Sequence, residues 1–391
     1  MPRTLLGHKM QALLNIRQSV WLDYLHRHMT RSGELRALIA DGLRGMTSNP
    51  TIFEQAIGGS ADYDDDLAEL ASSPKTHRDV FEMLAIEDVR EAADLFRPVY
   101  DATAGGDGFV SLEVSPGVAR DTDGSMNEAR RLWNAVDRPN VMIKIPGTRE
   151  GWPAIERCLQ EGININITLL FSVEHYQAVA EAYLRALETR VARAQSIDKV
   201  MSVASFFVSR VDTEVDKRIQ ASGGSLLHPL KGKVAIAGAR LAYAKFTEAT
   251  RSERWLALEA KGAQRQRLLW ASVGTKNPEY SDVMYMESLI GPDTITTVPP
   301  DTLRRFEDHG KISNTLGASS ADDARHVMDA LAAGGIDFAD LNRTLEEEGI
   351  EKFARSFDAV LGAIAQKRRA LRDARDNVNR AVIGGLRRDA D

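Results

Sequence analysis

The chain has 391 residues, 43% hydrophobic and 27% charged, the make-up of a globular protein able to bury a sizeable core. A formal net charge of −6 argues against a dedicated nucleic-acid binder, and no apolar run reaches the roughly 18 residues of a membrane span. Cys158 is the sole cysteine, which excludes an intramolecular disulfide and a cysteine-based metal cluster. The opening MPRTLLGHKMQALLN lacks the continuous apolar core and small-residue cleavage site of a signal peptide, so a cytoplasmic, enzyme-sized protein is expected.

Residues 1–18 are mixed, an arm or a partial helix. Ser19–Asp23 is a short apolar stretch ending in an acid, and Glu34–Leu43 has helical spacing. Gly45–Thr51 is short, polar and stopped by Pro50. Thr76–Ala104 reads as a long helix with Val80, Leu84, Val89, Phe96 and Val99 on one face, before the strand-like Phe109–Pro116. A helix over Met126–Val136 leads to the strand Val141–Ile145, which Pro146-Gly147-Thr148 ends. Glu150–Glu161 is helical, Ile163–Leu170 is a strand, and Ser172 is placed to cap a helix bearing Tyr176, Val179, Tyr183 and Leu187. Val200–Val208 is a strand followed by helices near 212–221 and 233–248. Leu268–Ser272 and Thr294–Pro299 complete the strands. The remainder is helical, ending in an amphipathic stretch from Phe353 with Phe357, Val360, Ile364, Leu371 and Val378 on its stripe.

Eight strand-like stretches separated mostly by helical patterns imply a parallel sheet, because parallel neighbours need crossover connections. Eight such units predict a closed (β/α)8 TIM barrel over about residues 19–310, with a C-terminal helical extension over about 320–391, all in one domain of residues 1–391. A doubly wound open sheet is the rival, but no glycine-rich dinucleotide fingerprint follows the first strand.

Polar residues at strand ends point to chemistry. Side chains alternate across a strand, so Asn164, Asn166 and Thr168 share one face while Ile163, Ile165 and Ile167 share the other. With the isoleucines under the helices, all three polar side chains are expected inside the barrel; a purely structural hydrogen-bond layer is the plainer reading. Asp23, Asn49 and Glu113 lie at or near the ends of the first three strands. Lys144 is on the fourth, Ser205 and Phe207 share a face of the sixth, and Ser272 is on the seventh. Each has a dull explanation alone: a helix cap, a turn before proline, an ion-pair partner. Lys144 itself, between Ile143 and Ile145, reads alone as a lysine snorkelling to the surface. Together they bring two carboxylates, an amine, two amides and three hydroxyls to the barrel end where catalysis is found in this fold. A lysine desolvated in an apolar run is the kind that attacks a carbonyl at neutral pH, and carboxylates beside it move protons. The set therefore suits Schiff-base chemistry. A zinc site is unsupported, and the two carboxylates lie in no clustered acidic motif for magnesium.

Thr47-Ser48-Asn49-Pro50-Thr51, Val141 through Pro146 and Asn164 through Ser172 resemble, in order on successive strands, the signature segments of the transaldolases. The likeness spans roughly residues 15–310, and Ala271 through Pro292 is most similar to the longer bacterial branch found in actinobacteria among others. The resemblance implies a class I aldolase-type barrel without cofactor, acting on sugar phosphates in the non-oxidative pentose phosphate pathway. By similarity Lys144 forms the Schiff base, Asp23 takes the proton from the donor's C4 hydroxyl, and Glu113 with Thr168 holds a proton-shuttling water. Asn49, Asn166 and Ser205 would bind the dihydroxyacetone hydroxyls. Arg210 and Ser272 match the phosphate site, but a further family arginine just after the serine has no counterpart, and Lys276 is the substitute expected. Lysine supplies the charge without the bidentate fork.

Two alternatives stand beside that reading. Related fructose 6-phosphate aldolases are shorter and carry a tyrosine where this chain has Phe207, and a phenol can orient a hydrolytic water as phenylalanine cannot. A catalytically idle barrel acting as a binding protein would be expected to lack Lys144, Glu113 or Asp23. Sugar phosphates are the implied partners; nucleic acid and membrane are not expected, and homo-oligomerisation is left open. The helix from Phe353 is expected to pack its stripe over the barrel's outside or mouth with Lys367, Arg368 and Arg369 solvated, a subunit contact being the alternative. Cys158 is given no catalytic role.

Overall fold

A computed structural model describes residues 8–222, 225–317 and 320–388, from 378 onward by backbone alone; residues 1–7 and the Val378 side chain lie outside the described set. Eight parallel strands close into a barrel in sequence order: β1 (Gln18–Asp23), β2 (Gly45–Thr47), β3 (Phe109–Glu113), β4 (Val141–Pro146), β5 (Ile165–Leu170), β6 (Ser202–Phe207), β7 (Arg267–Ala271) and β8 (Thr294–Val298). β8 pairs with β1 from Gln18↔Thr294 to Leu22↔Val298, which closes the ring. The strands are buried on both faces, as a parallel sheet wrapped by helices must be. At the crowded β1–β2 contact, a Cβ on Gly45 would sit 2.5 Å from the Trp21 indole, so only glycine lets that ring lie there.

The expected (β/α)8 barrel is present. The long helices follow the apolar spacing, among them His77–Ala102, Thr122–Val136, Gly151–Glu161 and Val173–Ala192. Short ones were not legible. Arg27–Ser32, Asp64–Glu69 and Glu253–Glu259 have six, six and seven residues, fewer than the two to three turns that make a period visible. Pro50 ends β2's extension, as its position suggests, but it also opens a helix, Pro50–Gly59. It occupies the first turn, where its missing N–H is no loss, and Asn49 caps the helix by accepting from the Ile52 N–H at 3.1 Å.

After the barrel's last helix, Pro300–His309, come Ser320–Ala333 and a 51-residue helix, Phe338–Arg388. Phe353, Val360 and Ile364 of that helix are buried. It packs along Pro50–Gly59, and Phe357 meets Phe81 edge to face at 5.3 Å, which in turn meets Phe53 at 5.5 Å. Such ring pairs add about 0.5–1.5 kcal/mol beyond area burial. The expectation of solvated charges fails at two of three positions. Lys367 binds the Ser60 carbonyl and Asp64, and Arg368 is buried, donating to the carbonyls of Leu70, Ser73 and Lys75. These carbonyls lie at the end of a short helix and in the turn after it, where backbone acceptors lack partners. Arg369 is exposed. Among the described residues no helix is long and apolar enough to cross a membrane.

Candidate active site

Strand register sets the centre. Glu113 on β3 pairs with Lys144 on β4, and Lys144 pairs with Asn166 on β5. The Lys144 side chain is 6% exposed and its Nζ donates to Glu113 Oε2 at 3.0 Å and to the Ser48 carbonyl at 2.9 Å. The apolar surroundings suggested by Ile143 and Ile145 are therefore not what the amine meets. Those side chains alternate to the other face, and a carboxylate and a carbonyl face the nitrogen. Burying such a pair costs several kcal/mol per ion before the mutual attraction offsets it. The imbalance shows on Glu113: burial raises its carboxyl above the ordinary value, against the opposing charge and hydrogen bond of Lys144.

Around this pair lies a layer of amides and hydroxyls. Ser205 donates to Asn166 Oδ1 at 2.6 Å, and Asn166 Nδ2 donates to Ser111 Oγ at 3.0 Å, so both ends of the amide are committed and its orientation is fixed. Thr168 Oγ1 is buried with no protein partner among the described residues, a state that in native proteins needs a reason. Its neighbour Leu169 has φ of 60° where the β5–β6 register shifts between Ile167 and Leu170. A left-handed leucine at a bulge is strained backbone of the kind found beside active sites. Asn164 departs from expectation. It donates to the carbonyls of Pro139 and Val141 and accepts from the Met201 N–H, bracing strands at the N-terminal mouth and not joining Asn166 and Thr168.

Asp23 Oδ1 accepts from Thr47 Oγ1 at 2.7 Å, and Thr47 in turn accepts from Thr297 at 2.7 Å. Burial raises the Asp23 carboxyl, opposed by Lys144, the Thr47 bond, Arg210 and Lys276. The sequence points to neither Thr47 nor Thr297 as a partner of Asp23, although Thr47 pairs with Asp23 in register.

These groups face a cavity of about 290 Å³ at the C-terminal end of the barrel. Asp23, Asn49, Lys144, Thr168, Ser205 and Phe207 line it, together with Arg210, Ser272 and Lys276. Asn166 and Glu113 complete the set from beneath through their bonds to Ser205 and Lys144. The Arg210 guanidinium lies 5.0 Å from the Phe207 ring and 5.7 Å from that of Phe353. Ser272 has φ of 54° and shares a 2.9 Å hydrogen bond with Ser209. Lys352 and Phe353, on the C-terminal helix, also line the cavity. The stripe that starts at Phe353 allows for a place at the barrel mouth, but Lys352 lies outside that stripe, and only tertiary docking shows that it reaches the cavity. A larger crevice of about 650 Å³ between Arg120, His175 and Asn342 contains none of the predicted site residues. No group of three or more His, Cys, Asp or Glu residues is placed to hold a metal ion among the described residues. Cys158 is buried in the helix after β4, with its thiol pushed up to about 12.

A buried amine on a carboxylate, with a second carboxylate and several cations lining the same cavity, suits imine formation on an anionic carbonyl compound. A family model described as Transaldolase/Fructose-6-phosphate aldolase matches residues 20–364. The chain belongs to the transaldolase family. It is 45% identical over 365 residues to a Transaldolase of Trichodesmium erythraeum, covering 90% of this chain and 96% of that one. It is 47% identical over 359 residues to a Transaldolase of Saccharopolyspora erythraea, covering 92% and 97%. A Transaldolase of Thermobifida fusca is 46% identical over 363 residues, covering 93% and 99%. The transaldolase match runs past the barrel into the long C-terminal helix, which includes the residues that reach the cavity.

Proposed function

We propose that this protein is a transaldolase, a Schiff-base transferase of the non-oxidative pentose phosphate pathway. It moves a dihydroxyacetone unit from sedoheptulose 7-phosphate to glyceraldehyde 3-phosphate, giving erythrose 4-phosphate and fructose 6-phosphate. The observation that carries this reading is the 3.0 Å contact with Glu113 of Lys144 Nζ, whose side chain lines the same cavity as Asp23. Lys144 passes a proton to Glu113 and attacks the ketose carbonyl carbon. Glu113 and Thr168 hold the water through which the carbinolamine oxygen is protonated, and that oxygen leaves as water. Asp23 then takes the C4-hydroxyl proton, the C3–C4 bond breaks, and its electron pair enters the protonated imine to give an enamine. The aldehyde departs, an acceptor aldehyde is attacked by the enamine carbon, and Asp23 returns the proton to the new hydroxyl. Hydrolysis frees Lys144. Asn49, Asn166 and Ser205 hold the three-carbon fragment; Arg210, Ser272 and Lys276 hold the phosphate. A cytoplasmic location and a single domain of barrel plus C-terminal helices go with this proposal.

Phe207 favours transfer over simple cleavage. Its ring is buried between Phe171, 5.4 Å away, and the Arg210 guanidinium, and it offers no hydroxyl to a hydrolytic water. Borohydride reduction in the presence of fructose 6-phosphate should leave a dihydroxyacetone-sized mass on Lys144, and none in Lys144→Met. A wild-type chain with no adduct at Lys144 would sink the Schiff-base reading. With erythrose 4-phosphate added, sedoheptulose 7-phosphate is the expected product; free dihydroxyacetone in its place would make the protein a lyase.

A further inference from the structure

The helix Phe338–Arg388 carries Gly349 in its interior, at a cost of about 1 kcal/mol relative to alanine. A Cβ at that position would lie 2.9 Å from Leu169 Cδ2 and 3.5 Å from Arg210 Nη1. The bare glycine thus lets the helix press on the end of β5 and on Arg210. One turn further, Phe353 is buried with Arg210 over its ring, and Ser356 is hydrogen-bonded to Thr51 at 2.9 Å. Lys352 sits within this docked stretch and lines the same cavity as Arg210, Ser272 and Lys276.

Charge makes the grouping unusual. Lys217 and Arg218 on the helix that begins beside Arg210, and Arg343 and Arg355 on the C-terminal helix, all have carboxylate partners. Among the described residues Arg210, Lys276 and Lys352 have none. Burial and the charges of Arg210, Lys276 and Arg355 hold the Lys352 ammonium below its ordinary value. Asp23, Glu113 and Glu348 act on Arg210 only from beyond ion-pair distance, so the three cations lining one cavity repel one another until an anion joins them.

We propose that Lys352 is a phosphate-binding group of the active site, a third cation that the C-terminal helix delivers to the substrate phosphate beside Arg210 and Lys276. The assignment rests on the transaldolase reading. It also adds to the expected substitute: by the resemblance, the family arginine just after the serine has no counterpart in Ala271–Asn277, Lys276 stands in for it, and a distant helix supplies a further cation. An ammonium grips phosphate as a point charge and does not need the fork geometry.

The test uses the full chain with Lys352→Met and Lys352→Arg. For Lys352→Met, the fructose 6-phosphate concentration giving half-maximal borohydride adduct on Lys144 should rise about tenfold, as loss of a charge-assisted contact predicts. Half-saturation by dihydroxyacetone, which has no phosphate, should shift far less, and Lys352→Arg should restore most of the fructose 6-phosphate affinity. An equal shift for both compounds, or none for fructose 6-phosphate, overturns the proposal. Calorimetry with inorganic phosphate separates this failure from failure of the enzyme reading, because it needs no imine. Wild type should bind phosphate about tenfold more tightly than Lys352→Met, and equal binding overturns the assignment whatever Lys144 does.

Discussion

At the N-terminal mouth of the barrel Arg267 donates to Asp107, to Ser19 and to the Thr294 carbonyl, while Asp107 also accepts from Ser19 and the Trp21 indole. At the C-terminal mouth Arg210 has no polar partner among the described residues and lies between two phenyl rings. The amides follow this division only in part, because Asn166 above is fully committed to Ser111 and Ser205. Asn140, Asn164 and Gln18 tie backbone carbonyls together below, whereas Asn49 is half-buried above and spends its oxygen on a helix cap while facing the cavity. Below, the polar side chains bond to backbone and to one another and hold the strands, with Asn140 Oδ1 and Arg267 Nε left over. Above, several are left for something else to satisfy, and this is the end where barrel enzymes place their chemistry.

Substitutions at the two mouths should separate activity from stability. The largest expected effect is on Asp23→Asn, which should lower kcat by on the order of 10²- to 10⁴-fold, the contribution of a positioned proton-transfer group. Its stability should move the other way. The folded-state pKa of Asp23 lies above the ordinary 3.8, so just above that pH the folded chain still holds a proton that the unfolded chain has released. Stability from this group is full below 3.8 and is lost as pH rises through the raised value. Asparagine removes the loss, so Asp23→Asn should unfold at higher denaturant than wild type at neutral pH and lose that advantage in acid. A variant that is inactive and also less stable at neutral pH would contradict the site's electrostatics.

Arg267→Met tests the other mouth. It leaves Asp107 largely buried without its cation and should cost about 3 kcal/mol in denaturant unfolding, with kcat per folded molecule unchanged. A comparable fall in kcat would erase the distinction between the ends. Arg368→Met removes the donor to three carbonyls and should cost about 2 kcal/mol. Arg369→Gln, one residue on and exposed, should stay within about 0.5 kcal/mol.

What the sequence reveals follows from which physics is local. Strand alternation and order on the barrel bring Glu113, Lys144 and Asn166 side by side, and a period of two suffices to see it. The same period misplaces Asn164, because alternation assigns a face and says nothing of depth along the barrel axis. Thr47 is invisible as a partner of Asp23 until the β1–β2 register is known. Lys367 and Arg368 read as solvated because their acceptors lie about 300 residues earlier, around the helix Asp64–Glu69, and Lys352 is hidden because its neighbours in the cavity are likewise distant in sequence. The Lys144–Glu113 contact adds a further lesson: sequence neighbours told little of what the amine touches, while strand neighbours told nearly everything.

The ring contact between Phe81 and Phe357 has a consequence for how the chain is made. Phe81 is synthesised 276 residues before its partner (357 minus 81), and Asp64 waits still longer for Lys367. At about 5–20 residues per second, the apolar surface around Phe53 and Phe81 stays uncovered for roughly 14–55 s on the ribosome. A barrel complete through β8 at that moment still lacks the helix that shields this surface and carries Lys352. Premature termination within the last helix should therefore yield chains that chaperones retain, with every strand present and the site unfinished.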